Sequence, residues 1–219
     1  MPDAASTTPT RITAEPAPAA PVSAPGPESD TLLEAVRACT LCREHLPHGP
    51  HPVLQWHPGA RVLVAGQAPG RRVHASGIPF DDASGERLRD WMGVSREIFY
   101  DPQQVAILPM GFCYPGTGKS GDLPPRPECA PAWRERLLAG LADLRLTLVI
   151  GKYAQDYHLP GAQSVTERVR DWRDYRSRRC MPLPHPSPRN NRWLRRNPWF
   201  ETDLLPALRT DVKRSLALP

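Results

Sequence analysis

No stretch of this sequence approaches the roughly 20 consecutive apolar residues that a membrane-spanning helix needs. Its first residues lack the charged-then-apolar order of a secretory signal. The expectation is a cytoplasmic protein with no membrane partner, in a compartment that keeps thiols reduced. An acidic excess is also missing. Lys and Arg number 28 against 23 Asp and Glu, giving a net charge of +5 and a pI near 9.2. That modest basic excess favours a polyanionic partner. The better-known phosphate loops are absent from the one glycine-rich turn that follows an apolar run. Its GQAPG lacks the GxGxxG order and is not directly followed by Gly-Lys-Ser/Thr.

Apolar periodicity is missing from the N-terminus. Residues 1–30 hold seven Pro and seven Ala, so a disordered tail is expected over 1–29. The domain expected over 30–215 has roughly 185 residues, enough for one α/β core.

What is present is organised around residues 61–80, RVLVAGQAPGRRVHASGIPF. Val62, Leu63, Val64 and Ala65 form a short apolar run that reads as a buried parallel strand. Gly66, Pro69 and Gly70 then force a turn. Such a turn past a strand's carboxyl end is where open α/β sheets bind ligands. Phe80, carried on a Gly/Pro loop, is either a stacking platform for a flat ring or a core plug under the turn. Further strands are predicted over 105–108, 146–150 and 180–183. Helices are predicted over 30–39 with Asp30 as N-cap, over 84–92 capped by Ser84 or Asp82, over 132–144, from 152, and over 199–214, with a short element at 165–172. This alternation predicts a three-layer α/β/α sandwich, a doubly wound four-stranded parallel sheet with helices on both faces. The loops 66–80 and 184–193 both start at strand carboxyl ends and should meet over one edge of the sheet.

Cys39 and Cys42 form a CxxC pair. Cys113 and Cys129 are separated by fifteen residues of a Pro/Gly-rich stretch expected to be a long loop. Four thiolates so placed could ligate a Zn ion or an iron–sulfur cluster, or they could be buried packing thiols. His45, His48, His51 and His57 fit no common ligand set and read as a solvated connector. Residues 168–196 contain ten Arg and only Asp171 and Asp174 as acids, a basic track suited to phosphate. Trp193 and Trp199 within it are candidates for a wedge or for core anchors.

Together, GQAPG, SGIPF and HPSP resemble the uracil-DNA glycosylase superfamily, over about 30–208. They are most similar to its iron–sulfur branch, family four, which carries GEAPG, TG-x-PF, HPSA and cysteines at CxxC plus C-x15-C. The resemblance implies a [4Fe–4S] cluster on Cys39, Cys42, Cys113 and Cys129, with Zn as the alternative, and DNA, single- or double-stranded, as partner. It implies a monomeric, monofunctional glycosylase that removes a deaminated or damaged base during repair. Phe80 would stack on the flipped base, and His185 would donate to its oxygen as charge develops. Gln67 and Ala68 would line the pocket floor. Ser187, Arg189, Asn190 and Arg192 would grip the DNA backbone. Three positions depart from the branch. Gln67 stands where it has Glu. Val73 and His74 stand where its acidic pair follows. Pro109 stands where an Asn reads the pyrimidine edge. Asp81 and Asp82 are the nearest acids that could substitute, and His74 could capture the sugar. The alternative is a catalytically weak nucleic-acid-binding protein that keeps the fold and the cluster.

Overall fold

The computed structural model describes residues 27–119, 121–159 and 161–217. Most of the predicted tail lies outside the described residues. The chain runs α1 (Pro27–Arg37), β1 (Val62–Ala65), α2 (Arg71–Ser76), α3 (Ala83–Met92), α4 (Arg96–Tyr100), β2 (Val105–Ile107), β3 (Thr117–Gly118), β4 (Gly121–Asp122) and α5 (Cys129–Ala139). It continues through β5 (Leu146–Ile150), α6 (Gly151–His158), α7 (Val165–Arg170), α8 (Trp172–Arg176), β6 (Cys180–Leu183), α9 (Asn191–Arg196), a π-turn at Phe200–Leu204 and α10 (Leu205–Leu216).

The four predicted strands pair in parallel in the order β2-β1-β5-β6. Every residue of β1, β2 and β5 is buried, as in a sheet covered on both faces. Alternation divides those residues between two cores. Val62 and Val64 face Leu88, Trp91, Phe200 and Leu208 from α3, the π-turn and α10. Leu63 faces the other way, toward Val36, Trp56, Phe112 and Leu137. Helices on both faces of a four-stranded parallel sheet make the expected three-layer sandwich. β3 and β4 form a separate small antiparallel hairpin. Among the described residues no helix is long and apolar enough to cross a membrane.

Several boundaries differ from the sequence expectation. α1 starts at Pro27, so Asp30 lies inside the helix instead of capping it, and Cys39 falls in the turn beyond its end. α5 begins at Cys129 rather than 132, because Pro131 occupies the first turn, where the missing N–H would be unpaired anyway. It stops at Gly140, where a Cβ would lie 2.6 Å from Trp56 Cζ2. The element expected at 165–172 is two helices that meet at Asp171. The closing helix opens with the π-turn just before Pro206, which has no N–H to continue a regular ladder. α2, α4, α9 and the hairpin lie in stretches that read as loops.

One buried cation joins three elements beneath the sheet's carboxyl edge. Arg134 on α5 is 1% exposed. It donates to the carbonyls of Leu108 and Pro109, at 3.0 and 3.2 Å, and to His158 Nε2 on α6 at 2.6 Å. No carboxylate pairs with it among the described residues. His158 must accept, so it is held neutral. Burial first, and the guanidinium second, push its pKa down to about 3. An unfolded histidine takes its proton near about pH 6.5. Between those values the unfolded chain binds more protons, so stability falls as pH drops through that window. Replacing His158 by Gln should flatten the decline of the urea midpoint between pH 6.5 and 4. An unchanged slope would show that other groups govern it.

Candidate active site

The carboxyl ends of β1, β2 and β6 open into one cleft of about 480 Å³. Gly66–Gly70 follows β1, Pro109 follows β2, and the loop from His185 to Asn190 follows β6. Phe80 closes one side and the β3–β4 hairpin another. The carbonyls of Gly66 and Gln67 accept from the N–H groups of Met110 and Gly111, which locks the first turn onto the β2 side. The N–H groups of Gln67 and Ala68 take no acceptor among the described residues. Both residues line the cleft, where these N–H groups are candidate donors.

Phe80 has φ +55°, a left-handed conformation that costs a non-glycine residue about 1–2 kcal/mol. The packing behind it maintains that conformation. A Cβ at Gly85, in the first turn of α3, would lie 1.8 Å from the Phe80 carbonyl oxygen. Only glycine lets α3 approach this closely. Asp82 caps the same helix, accepting from the Gly85 N–H at 2.9 Å. The Phe80 ring is half-buried. Its Cζ lies 3.6 Å from where a Gly66 Cβ would stand, and it meets Phe99 edge-on at 6.2 Å.

His185 is half-buried on the opposite loop. The Ser187 N–H donates to its Nδ1 at 3.2 Å, which leaves the ring proton of the neutral imidazole on Nε2. Burial lowers its pKa below the ordinary value. Asp82 and Asp122 oppose this, and Arg189 adds to it. Neighbours shape the loop: Asn190 Nδ2 donates to the His185 carbonyl at 2.7 Å, Arg87 donates to that of Ser187 at 3.2 Å, and Ser187 Oγ accepts from the Arg189 N–H.

Gln67, Ala68, Phe80, Pro109, His185, Ser187, Arg189 and Asn190 therefore share one cleft. Three other candidate residues are not among its lining. Asp81 pairs with Arg96 at 3.3 Å. The His74 ring packs among His48, His51 and Tyr114, because α2 turns it away from the side that Val73 presents to the cleft. Arg192 is exposed on α9. The basic track is also divided. Arg168 is buried against Asp156, and Arg176 pairs with Asp211 through two 2.7 Å bonds. Trp193 and Trp199 pack edge-to-face against the core, which removes both from the wedge reading. Asp122 does line the cleft. Nothing in the sequence singled it out, because a two-residue strand inside a Gly/Pro-rich stretch leaves no periodic pattern.

A sequence profile of the Uracil DNA glycosylase superfamily matches residues 55–209. The chain belongs to this superfamily. It is also 25% identical over 164 residues to a protein named Type-4 uracil-DNA glycosylase from Thermotoga maritima, over 72% of this chain and 81% of the relative.

In this superfamily member the Gln67 amide has a definite partner: Nε2 donates to the Leu123 carbonyl at 3.0 Å. A carboxylate there could not make that bond. Away from the cleft, Cys39, Cys42, Cys113 and Cys129 line a single small cavity, while Cys180 packs elsewhere, beside Ala65 and Val149. Two of the four sulfurs accept N–H donors, Cys39 from Trp133 and Cys129 from Phe112. Burial pushes the Cys129 thiol up to about 12. Among the described residues no three His, Cys, Asp or Glu side chains are arranged to hold one metal ion. Among the described residues the four thiols thus form no single-ion site, though they share a cavity.

The contact between α3 and Phe80 is testable. Helix propensity alone would make Gly85→Ala stabilising by about 0.5–1 kcal/mol. Here the methyl meets a fixed carbonyl, so the variant should instead lose about 1–3 kcal/mol of unfolding free energy in urea. A neutral or stabilising result would show that the loop yields.

Proposed function

We propose that this protein is a monofunctional DNA glycosylase that hydrolyses the N-glycosidic bond of uracil or a related deaminated or damaged base. The observation that carries this is one cleft, at the carboxyl edge of the sheet, shared by Phe80, His185 and Gln67 and Ala68, whose N–H groups have no acceptor among the described residues. A base flipped from the stack would lie against the Phe80 ring. As the bond from C1′ to the base nitrogen breaks, its electron pair moves onto the base and its carbonyl oxygen. The Nε2–H of neutral His185 and the two backbone N–H groups are donors suited to that oxygen. Arg189 and Ser187 at the rim suit phosphate. Pro109 presents no side-chain hydrogen-bonding group to a base edge, so the site should discriminate weakly among deaminated bases.

The four cysteines would hold a [4Fe–4S] cluster. A single Zn would bring its four sulfurs within about 4 Å of one another, given Zn–S bonds near 2.3 Å. A cube takes one cysteine at each of four corners, which suits thiols that share a cavity without converging on one ion position. N–H donors to two of the sulfurs fit the same group. The cluster would supply a covalent cross-link between the turn after α1, the Phe112–Cys113 loop and the start of α5. Protein purified without oxygen should contain iron and be brown. Cys129→Ser should lose both properties and Cys180→Ser should keep them. Colourless, iron-free wild type would end the cluster reading.

The absence of His74 and Asp81 from the cleft lining favours a second reading, a catalytically weak nucleic-acid-binding protein. Single-turnover excision on oligonucleotides carrying uracil, hypoxanthine or xanthine separates the two. Wild type should release base. His185→Ala should slow release about 10²–10³-fold, the usual effect of removing one such donor. Phe80→Ala should weaken base capture by about 1–3 kcal/mol, and Pro109→Asn should favour uracil. DNA binding with no release of any base would leave only the second reading.

A further inference from the structure

Among the described residues two carboxylates line the cleft, and one of them is free. Asp82 is engaged as the N-cap of α3. Asp122, on β4, makes no hydrogen bond or ion pair through its side chain with any described residue. Its Oδ2 lies 3.5 Å from where a Cβ on Gly70 would stand, over the end of the first turn. It is near enough to His185 to act on that imidazole electrostatically.

The hairpin that carries Asp122 is held at several points. Gln67 Nε2 donates to the carbonyl of Leu123, the next residue. Arg189 Nη1 comes within 2.9 Å of a Cβ position on Gly121, the residue before. Asp122 also pairs in register with Thr117, whose hydroxyl is hydrogen-bonded to Tyr114. The loop after β1 thus bonds to the hairpin bearing this acid, and the loop after β6 packs against it.

We infer that Asp122 is the carboxylate that orients and deprotonates the attacking water. This rests on the glycosylase reading above. A water held by Asp122 adds through its oxygen to C1′ of the deoxyribose. The bond from C1′ to the base nitrogen breaks, and its electron pair leaves with the base. The water proton passes to the Asp122 carboxylate, then to solvent or to the departing base anion. The products are the free base and an abasic sugar bearing the new hydroxyl, and nothing is oxidised or reduced. Asp122 is exposed, so a small isosteric change there spares the core.

The test is Asp122→Asn, with Asp122→Glu beside it, against a uracil-containing single-stranded oligonucleotide under single-turnover conditions. Asn should slow excision by roughly 10²–10⁴-fold. Glu should recover part of the rate. Affinity for the same oligonucleotide carrying 2′-fluoro-2′-deoxyuridine, which resists cleavage, should be unchanged by Asn. Excision by the Asn variant at the wild-type rate would overturn the role of Asp122 alone. A rate loss matched by an equal loss of affinity would overturn it too, making Asp122 a DNA-docking residue. Wild type that binds its oligonucleotides but releases none of uracil, hypoxanthine or xanthine would overturn the glycosylase reading and this inference with it.

Discussion

The two-sided pairing of β1 is the constraint on which the rest depends. Val62, Leu63, Val64 and Ala65 lie between β2 and β5, with no exposed edge or face. A strand so enclosed must be apolar throughout, and its polar chemistry can begin only where pairing ends. That point is Gly66. β2 and β6 run in the same direction, so their ends arrive at the same edge of the sheet. The cleft is thus a consequence of parallel pairing, and three strand ends far apart in the chain meet at it.

Within the cleft, burial and hydrogen bonding act together on one imidazole. Burial disfavours the charged form of His185, and the Ser187 N–H occupies Nδ1. The ring is left as a neutral donor at Nε2, suited to an oxygen on which negative charge is developing. Opposite it, Phe80 is held in an unfavourable backbone conformation by contact with a helix that only glycine allows so close. Strain of this kind persists where surrounding packing over-determines it. Here that packing comes from the capped start of α3.

Arg134 links the cysteine region to the cleft. Cys129 begins α5, and Arg134, one turn and a half along the same helix, hydrogen-bonds the carbonyls of Leu108 and Pro109 at the end of β2. The position of the cleft floor thus depends on how α5 is docked. The donor is a planar guanidinium that no carboxylate neutralises among the described residues, and His158 serves it only as a neutral acceptor. A lysine there could not reach two carbonyls and an imidazole with one rigid fork.

Local pattern by itself determined the four strands, most of the long helices, the meeting of the 66–80 and 184–193 loops, and the superfamily, because apolar runs, glycine turns and motif spacing are properties of neighbouring residues. Gln67, Phe80, Pro109 and His185 were legible for that reason. The sequence did not reveal which charged groups are free. Asp81, Asp82, Arg168 and Arg176 look equivalent to other acids and arginines along the chain, yet each is engaged by a partner brought from elsewhere by folding or by a helix start. Asp122 looked like a loop residue and stands in the cleft because a hairpin, fastened by Gln67 and packed against Arg189, carries it there. Availability of a charge depends on long-range pairing and on burial, and only the tertiary structure decides those.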